Sequence, residues 1–356
     1  MKIITILGAR PQFIKAAPFS KALRSRPGTE EKIIHTGQHF DYNMSRVFFD
    51  EMGIPEPDFN LNINQLSHGA MTGRMLEQIE AILIKEKPDM TVVFGDTNST
   101  IAGSLAATKL HIPVAHVEAG LRSFDMRMPE EVNRILTDRI SNLLFCPTQT
   151  AVKNLQKEGM PAFEPQKIIF TGDIMYDSVL MFKEKMKPVR AELPSRFILA
   201  TIHRQENTDT PGRLPKINDA LNRVHREYMP VVMPLHPRTK KYLDKYGLQP
   251  EFITIPPVSY LEMLWLLDRA ALVITDSGGL QKEAYFFKKF CITMRDTTEW
   301  VELVESGNNV LMDFNEDIYE QIIRHLDRQV RFNPDLYGDG RAAEKMVEEI
   351  LAFSVL

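Results

Sequence analysis

The sequence has few of the features that would take it outside ordinary small-molecule chemistry. It has two cysteines, Cys146 and Cys291, in the apolar, strand-like runs LLFCPT and FCITM. Both read as buried thiols. Two lone, distant cysteines make neither a disulfide framework nor a zinc site. No apolar run approaches the roughly 20 residues of a membrane-spanning helix. The opening residues, MKIITILGARPQ, pass from a short apolar run into a polar loop, not a small-residue cleavage site. They read as a first β-strand, not a signal peptide. GxGxxG, a P-loop ending in GK[ST], HExxH and GxSxG are all missing. Their absence argues against dinucleotide-dependent redox chemistry, Walker-type ATPases, zincins and serine hydrolases. No His/Asp/Cys group has metal-ligand spacing, so no metal is expected. Positive charge is not in excess either. A net charge of −4 gives no reason to expect nucleic acid or an anionic membrane as partner. A cytoplasmic protein without membrane insertion is the expectation.

What is present is a repeated α/β rhythm. The chain has 356 residues, 44% apolar and 25% charged, enough for two domains. KIITIL, EKIIHTG, MTVVFGD, PVAHVEAG and NLLFCPT read as buried strands. Amphipathic helices lie between them, among them HGAMTGRMLEQIEAILIKEKP and PEEVNRILTDRIS. The same order returns with RFILATIHRQE, PVVMPLHPRT, ALVITDSGG and FCITMRD as strands. This implies two Rossmann-like, doubly wound parallel sheets facing a cleft. The expected division is 1–170 and 171–340, soft near Thr171. A last helix in 341–356 is expected to pack back towards the first domain.

The polar clusters fall at strand exits, where such sheets place ligands. GARPQFIK sets Gly8, Arg10 and Lys15 at a strand-to-helix turn that favours an anion, although a solvated loop would look the same. ITDSGGLQKEA puts Ser277, Gly278 and Gly279 before a helix. Free N–H groups and a hydroxyl there suit a phosphate, and Glu283, further along, could accept a ribose's hydroxyls. GDTNST, HVEAGLRS and MPEEVNR carry Asp96, His116, Glu118, Arg122, Glu130 and Glu131. Any one acid could simply cap a helix, Glu131 most of all. Crowded together, acids raise one another's pKa and can serve as acid and base. TIHRQEN offers His203, Arg204 and Glu206, and PLHPR offers His236 and Arg238; taken singly, each histidine reads as structural.

These segments, together with HTGQHFDYNM, TGDIMYDS, MRDTTE and YGDG, resemble the non-hydrolysing UDP-N-acetylglucosamine 2-epimerases. The match runs in the family's order from Gly8 to Gly340. The resemblance implies a GT-B fold, a homodimer and an isomerase without cofactor that interconverts UDP-GlcNAc and UDP-ManNAc for surface polysaccharides. UDP is eliminated to leave a 2-acetamidoglucal, and the proton then returns to the other face of C2 as UDP re-adds. The resemblance makes Asp96, Glu118 and Glu130 the acid/base candidates and Lys15 a residue needed for activity. Arg10, His203, Ser277 and Gly278, with Gly279 nearby, become diphosphate contacts, and Glu283 the ribose ligand.

In many bacterial members a second UDP-GlcNAc activates the enzyme. Gln38, Arg74 and His236 match parts of that site, while the loop centred on Gln38 reads QHFD. TTEWVE stands where many members have TTERPE, and HRQEN where many have HRREN or HRRES. FDxNMS, MRMPEEVNRILTD, HRxENTD and MRDTTEWVELV also resemble a branch acting on UDP-2,3-diacetamido-2,3-dideoxy-glucuronate. A GT-B glycosyltransferase, a hydrolysing epimerase and a UDP-sugar sensor are the rivals. The three acids favour the epimerase over the transferase and the sensor, and the sequence lacks the kinase domain often attached to the hydrolysing type.

Overall fold

The computed structural model describes residues 1–38, 53 and 56–353. The HFDYNM part of HTGQHFDYNM lies outside the described residues. Two compact units are present, Met1–Met181 with Pro334–Leu356, and Phe182–Asn333.

In the first unit β1 (Lys2–Leu7) leads into α1 (Arg10–Arg24), then β2 (Glu30–His35), β3 (Phe59–Asn60) and α2 (His68–Glu86). β4 (Met90–Phe94), α3 (Asn98–Lys109), β5 (Val114–Val117), α4 (Pro129–Ile140), β6 (Leu143–Cys146), α5 (Gln149–Lys157) and β7 (Lys167–Phe170) follow. α6 (Ile174–Lys183) closes this run, and the division between the units falls inside it. The seven strands are parallel in the order β3-β2-β1-β4-β5-β6-β7. The order reverses between β1 and β4, where Ile6 pairs with Val93. Such a switch point opens a crevice at the strands' carboxyl ends.

Local chemistry explains these elements. β1 and β4 are apolar runs buried on both faces, the signature of a covered parallel sheet. In α2, Met75, Ile79 and Leu83 recur every four residues and are fully buried. Each contributes about 1.5–3 kcal/mol of apolar burial. Lys87 ends that helix in a left-handed conformation, φ 49°, just before Pro88. Pro129 occupies the first position of α4, where its missing N–H is not needed.

In the second unit the elements are β8 (Ile198–Thr201), α7 (Gln205–Thr208), α8 (Arg213–Glu227), β9 (Val231–Pro234), α9 (Pro237–Tyr246), β10 (Ile253–Ile255) and α10 (Tyr260–Arg269). β11 (Leu272–Thr275), α11 (Gly278–Phe286), β12 (Cys291–Thr293), α12 (Val301–Glu305), β13 (Asn309–Leu311) and α13 (Ile318–Ile323) complete it. The parallel order is β10-β9-β8-β11-β12-β13. Thr201 pairs with Thr275 across the switch point, their hydroxyls 2.5 Å apart. TIHRQEN, read as the end of a strand, turns into α7 because the buried Asp276 draws its N–H groups off the ladder. Cys146 and Cys291 are buried free thiols, and burial pushes Cys291 up to about 12. No helix among the described residues is long and apolar enough to cross a membrane.

The first unit runs past Thr171 because residues 173–178 are fastened to it. The Asp173 N–H donates to Tyr337 O at 2.9 Å, and the Ser178 hydroxyl to Ile14 O at 3.0 Å. The last helix, α14 (Ala342–Ala352), is capped from outside: the N–H groups of Ala342 and Ala343 donate to the Asp177 carboxylate at 3.1 and 2.8 Å. Burial raises this carboxyl from 3.8 to about 6; the two N–H bonds lower it less, and Asp173 adds to the rise. The folded state therefore favours the protonated form. That contribution is fully present below pH 3.8 and is lost as pH rises through about 6, a change of about 3 kcal/mol. Asp177→Asn removes the titration. Chemical denaturation should show the variant faring about 2 kcal/mol better, relative to wild type, at pH 7.5 than at pH 4.5. Equal differences at both pH values would refute this.

Candidate active site

The first unit gathers its polar groups where β1, β4 and β5 end. Gln12 builds the floor. Its side-chain oxygen accepts the N–H groups of Gly8 and Ala9 at 2.7 and 3.0 Å. Its amide nitrogen donates to Phe94 O at 2.6 Å and to the hydroxyls of Thr97 and Thr100. One buried amide thus ties the β1 exit to the β4 exit. Gly8 is required here because a Cβ would lie 2.0 Å from Ser99 Oγ. Ser99 is in turn held by Gln38, whose side-chain oxygen accepts its N–H at 3.1 Å and its hydroxyl at 2.8 Å.

Asp96 follows β4 and Glu118 follows β5, on neighbouring strands. Each has its own cation: Lys15 from α1 pairs with Glu118, and Arg134 from α4 pairs with Asp96. Glu118 stands in the left-handed region at φ 70°, a conformation costly for a side-chain-bearing residue. Desolvation by the surrounding walls pushes the Asp96 carboxyl above its ordinary range, although 31% of its side chain still reaches solvent. Arg134 pulls it back, Glu118 pushes it up again, and Lys15 opposes. Two acids and two cations close together, one acid reluctant to ionise, can give and take a proton.

Other acids and bases have structural work. Glu131 is fully buried and accepts N–H groups from Ser123 and Phe124 at 2.9 Å each. His116 is enclosed between Asp138 and Gly95 O, at 2.7 Å from each. Arg122, read as a support residue, spans Asp138 and a bidentate pair with Glu158, all at 2.7 Å. Glu130 is exposed on the first turn of α4 and makes no hydrogen bond or ion pair among the described residues. Arg10 is half-buried at the start of α1, and Arg74 is exposed on α2.

The second unit centres on Asp276, at the end of β11 and fully buried. Its carboxylate accepts the N–H groups of His203 and Arg204 at 2.9 Å each and the Asn207 amide at 2.9 Å. His203 Nδ1 lies 3.2 Å from it. The His203 side chain is 36% exposed, so its ring is held at one edge and open at the other. His236 lies against it, ring centroids 5.3 Å apart. Burial lowers the His236 pKa, and the neighbouring His203 lowers it further.

Ser277 precedes α11, and no side-chain hydrogen bond caps that helix start. A Cβ on Gly279 would meet nothing within 4 Å, whereas one on Gly278 would meet Glu299 Oε1 at 2.5 Å. The helix N-terminus therefore presents N–H groups suited to phosphate. Burial pushes the Glu299 carboxyl up, but Arg295 at 2.9 Å and Arg204 carry it below its ordinary value. The tryptophan of TTEWVE has a job: Trp300 Nε1–H donates to Gly278 O at 2.9 Å, and its ring covers the buried Lys282 ammonium at 3.9 Å. Glu283, next to Lys282 and about one turn past Gly279, is buried. Among the described residues no cluster of three or more His, Cys, Asp or Glu could hold a metal ion.

Asp276, Gln12 and Arg134 were not singled out from the sequence. Asp276 had a signal, a carboxylate closing an apolar strand directly before SGG.

The family described as UDP-N-acetylglucosamine 2-epimerase matches residues 21–351. This chain belongs to that family. It is 55% identical to the UDP-2,3-diacetamido-2,3-dideoxy-D-glucuronate 2-epimerase of Pseudomonas aeruginosa over 98% of this chain and 99% of that one. Among solved structures, the Methanocaldococcus jannaschii UDP-GlcNAc 2-epimerase in complex with UDP-GlcNAc and UDP is 41% identical. Its TM-score is 0.86, with 99% of this chain and 100% of that one covered. The Neisseria meningitidis UDP-GlcNAc 2-epimerase bound to UDP-GlcNAc is 30% identical, with TM-score 0.88 and coverage of 99% and 100%. Two Rossmann-like parallel-sheet units make this an α/β protein of the GT-B class, as expected from the sequence.

Proposed function

We propose that this epimerase is non-hydrolysing and acts on UDP-2,3-diacetamido-2,3-dideoxy-glucuronate at C2. The observation that carries the reaction is the Asp96–Glu118 pair, two acids on adjacent strand ends with separate cations, Arg134 and Lys15. The C2 proton is only weakly acidic, so the C1–O bond must be breaking as the proton leaves. Asp96 and Glu118 handle the proton, one on each face of C2, with Glu130 the third candidate. His203, Arg10 and the α11 start, Ser277 to Gly279, take the charge growing on the diphosphate. Glu283 accepts the ribose hydroxyls. UDP stays bound beside the glycal and re-adds as the proton returns on the opposite face.

The sequence alone puts UDP-GlcNAc first. The 55% identity to the P. aeruginosa enzyme supports the diacetamido-glucuronate instead. UDP-GlcNAc is the second reading, supported by the M. jannaschii complex at 41% identity. Both substrates should be offered separately to the purified protein and products followed by NMR. The expected kcat/KM favours the diacetamido-glucuronate by at least about 10²-fold, because a carboxylate and an added amide give polar groups to recognise. The reverse preference selects the second reading. Steady release of UDP from either sugar would instead indicate hydrolysis or transfer.

A further inference from the structure

β4 delivers Asp96 but does not hold it. The residue leaves a turn at Gly95, φ 61°, with its carboxylate partly open to solvent. α4 does the holding. Asn133 donates its side-chain amide to Asp96 O at 2.9 Å, fixing the backbone. Arg134 Nη2 grips the carboxylate, while its Nη1 lies 3.1 Å from Glu131 Oε2. Glu131 is itself immobilised by the N–H and hydroxyl of Ser123, at 2.9 and 2.8 Å, and by the Phe124 N–H. A planar guanidinium bridging two carboxylates cannot swing away from one without abandoning the other.

We propose that Arg134, anchored by the buried Glu131, is the positioning residue that fixes the Asp96 carboxylate and sets its readiness to exchange a proton. This rests on the reading of Asp96 as a proton-transfer group. The charged groups facing Asp96 are Arg134 with Glu131 behind it from α4, Glu118 from the β5 exit and Lys15 from α1. His68 of α2 reaches the neighbouring Asn98, 3.3 Å away. Arg134 is the cation in direct contact, so it dominates the favourable side of that balance.

The test is the pH profile of kcat/KM, with kcat and KM separately, for wild type, Arg134→Gln, Arg134→Lys and Asp96→Asn. Without the guanidinium charge, Asp96 holds its proton more tightly. In Arg134→Gln the limb set by Asp96 should move up by about one pH unit, whether Asp96 acts as acid or base. Turnover at the wild-type optimum should fall about tenfold, with KM changed less than about twofold. Arg134→Lys keeps the charge but cannot bridge both acids. Its limb should stay within about 0.3 unit while kcat falls about tenfold. An unmoved limb in Arg134→Gln overturns the proposal. So does wild-type kcat in Arg134→Lys, which decides the matter if the glutamine variant does not fold. Near wild-type turnover in Asp96→Asn refutes the underlying reading. A dead Asp96→Asn with an unmoved Arg134→Gln limb refutes the Arg134 assignment alone.

Discussion

Asp96→Asn is expected to lower turnover by about 10²-fold or more and to stop solvent hydrogen entering C2 at a matching rate. The change is nearly isosteric. It leaves Arg134 an oxygen to contact and the Asn133 bond to the backbone intact, so the fold and substrate affinity should hold. What disappears is a group able to lose and regain a proton. The setting of Asp96 suits that work: protein walls and Glu118 favour the protonated form, Arg134 and Lys15 the ionised one, and the balance lies above the ordinary range. Glu118→Gln should have an effect of the same size and also strand the Lys15 ammonium. Steady-state kinetics with intact KM and collapsed kcat is the expected pattern; near wild-type kcat in both variants would remove proton transfer from these residues.

Asp276→Ala is expected to be the most damaging single change in the second unit. The buried carboxylate accepts two backbone N–H groups, the Asn207 amide and the edge of the His203 ring. Removing it leaves several buried donors unpaired at once, at a cost of about 3–5 kcal/mol. Because those donors belong to His203 and Arg204, diphosphate binding should fall with stability. Asp276→Asn keeps one acceptor oxygen and should lose less of both. Thermal melting with and without UDP separates the effects: the alanine variant should melt lower and gain little from UDP. Wild-type melting together with a wild-type UDP shift would contradict the hub role.

Much of this arrangement is legible in the sequence because buried parallel strands announce their own ends. MTVVF stops at Gly95–Asp96, VAHV at Glu118 and LVIT at Asp276–Ser277, and ligands gather at such ends. Pairings across the sheet are less legible. Nothing local says that Arg134 reaches Asp96, or that Gln12 ties two loops from α1. PEE illustrates the limit: one 100° step of helix separates an exposed Glu130 from a fully buried Glu131, and although Glu131 reads as structural, nothing local shows that its partners are the Ser123 and Phe124 N–H groups. Arg122 reads as a support group, and nothing near it in sequence names its partners, Asp138 in α4 and Glu158 just after α5. The repeated α/β rhythm gives only a soft division near Thr171; the bonds of Asp173, Asp177 and Ser178 that carry the first unit to Met181 join residues far apart in sequence.

The most direct test of C2 epimerisation by elimination is NMR of the purified protein with its UDP-sugar in D₂O. Elimination and re-addition predict the 2-epimer carrying deuterium at C2, and deuterium washing into recovered substrate, with no accumulating UDP. A 2-epimer that keeps its original C2 hydrogen, or epimer formed only as free sugar beside stoichiometric UDP, would contradict it.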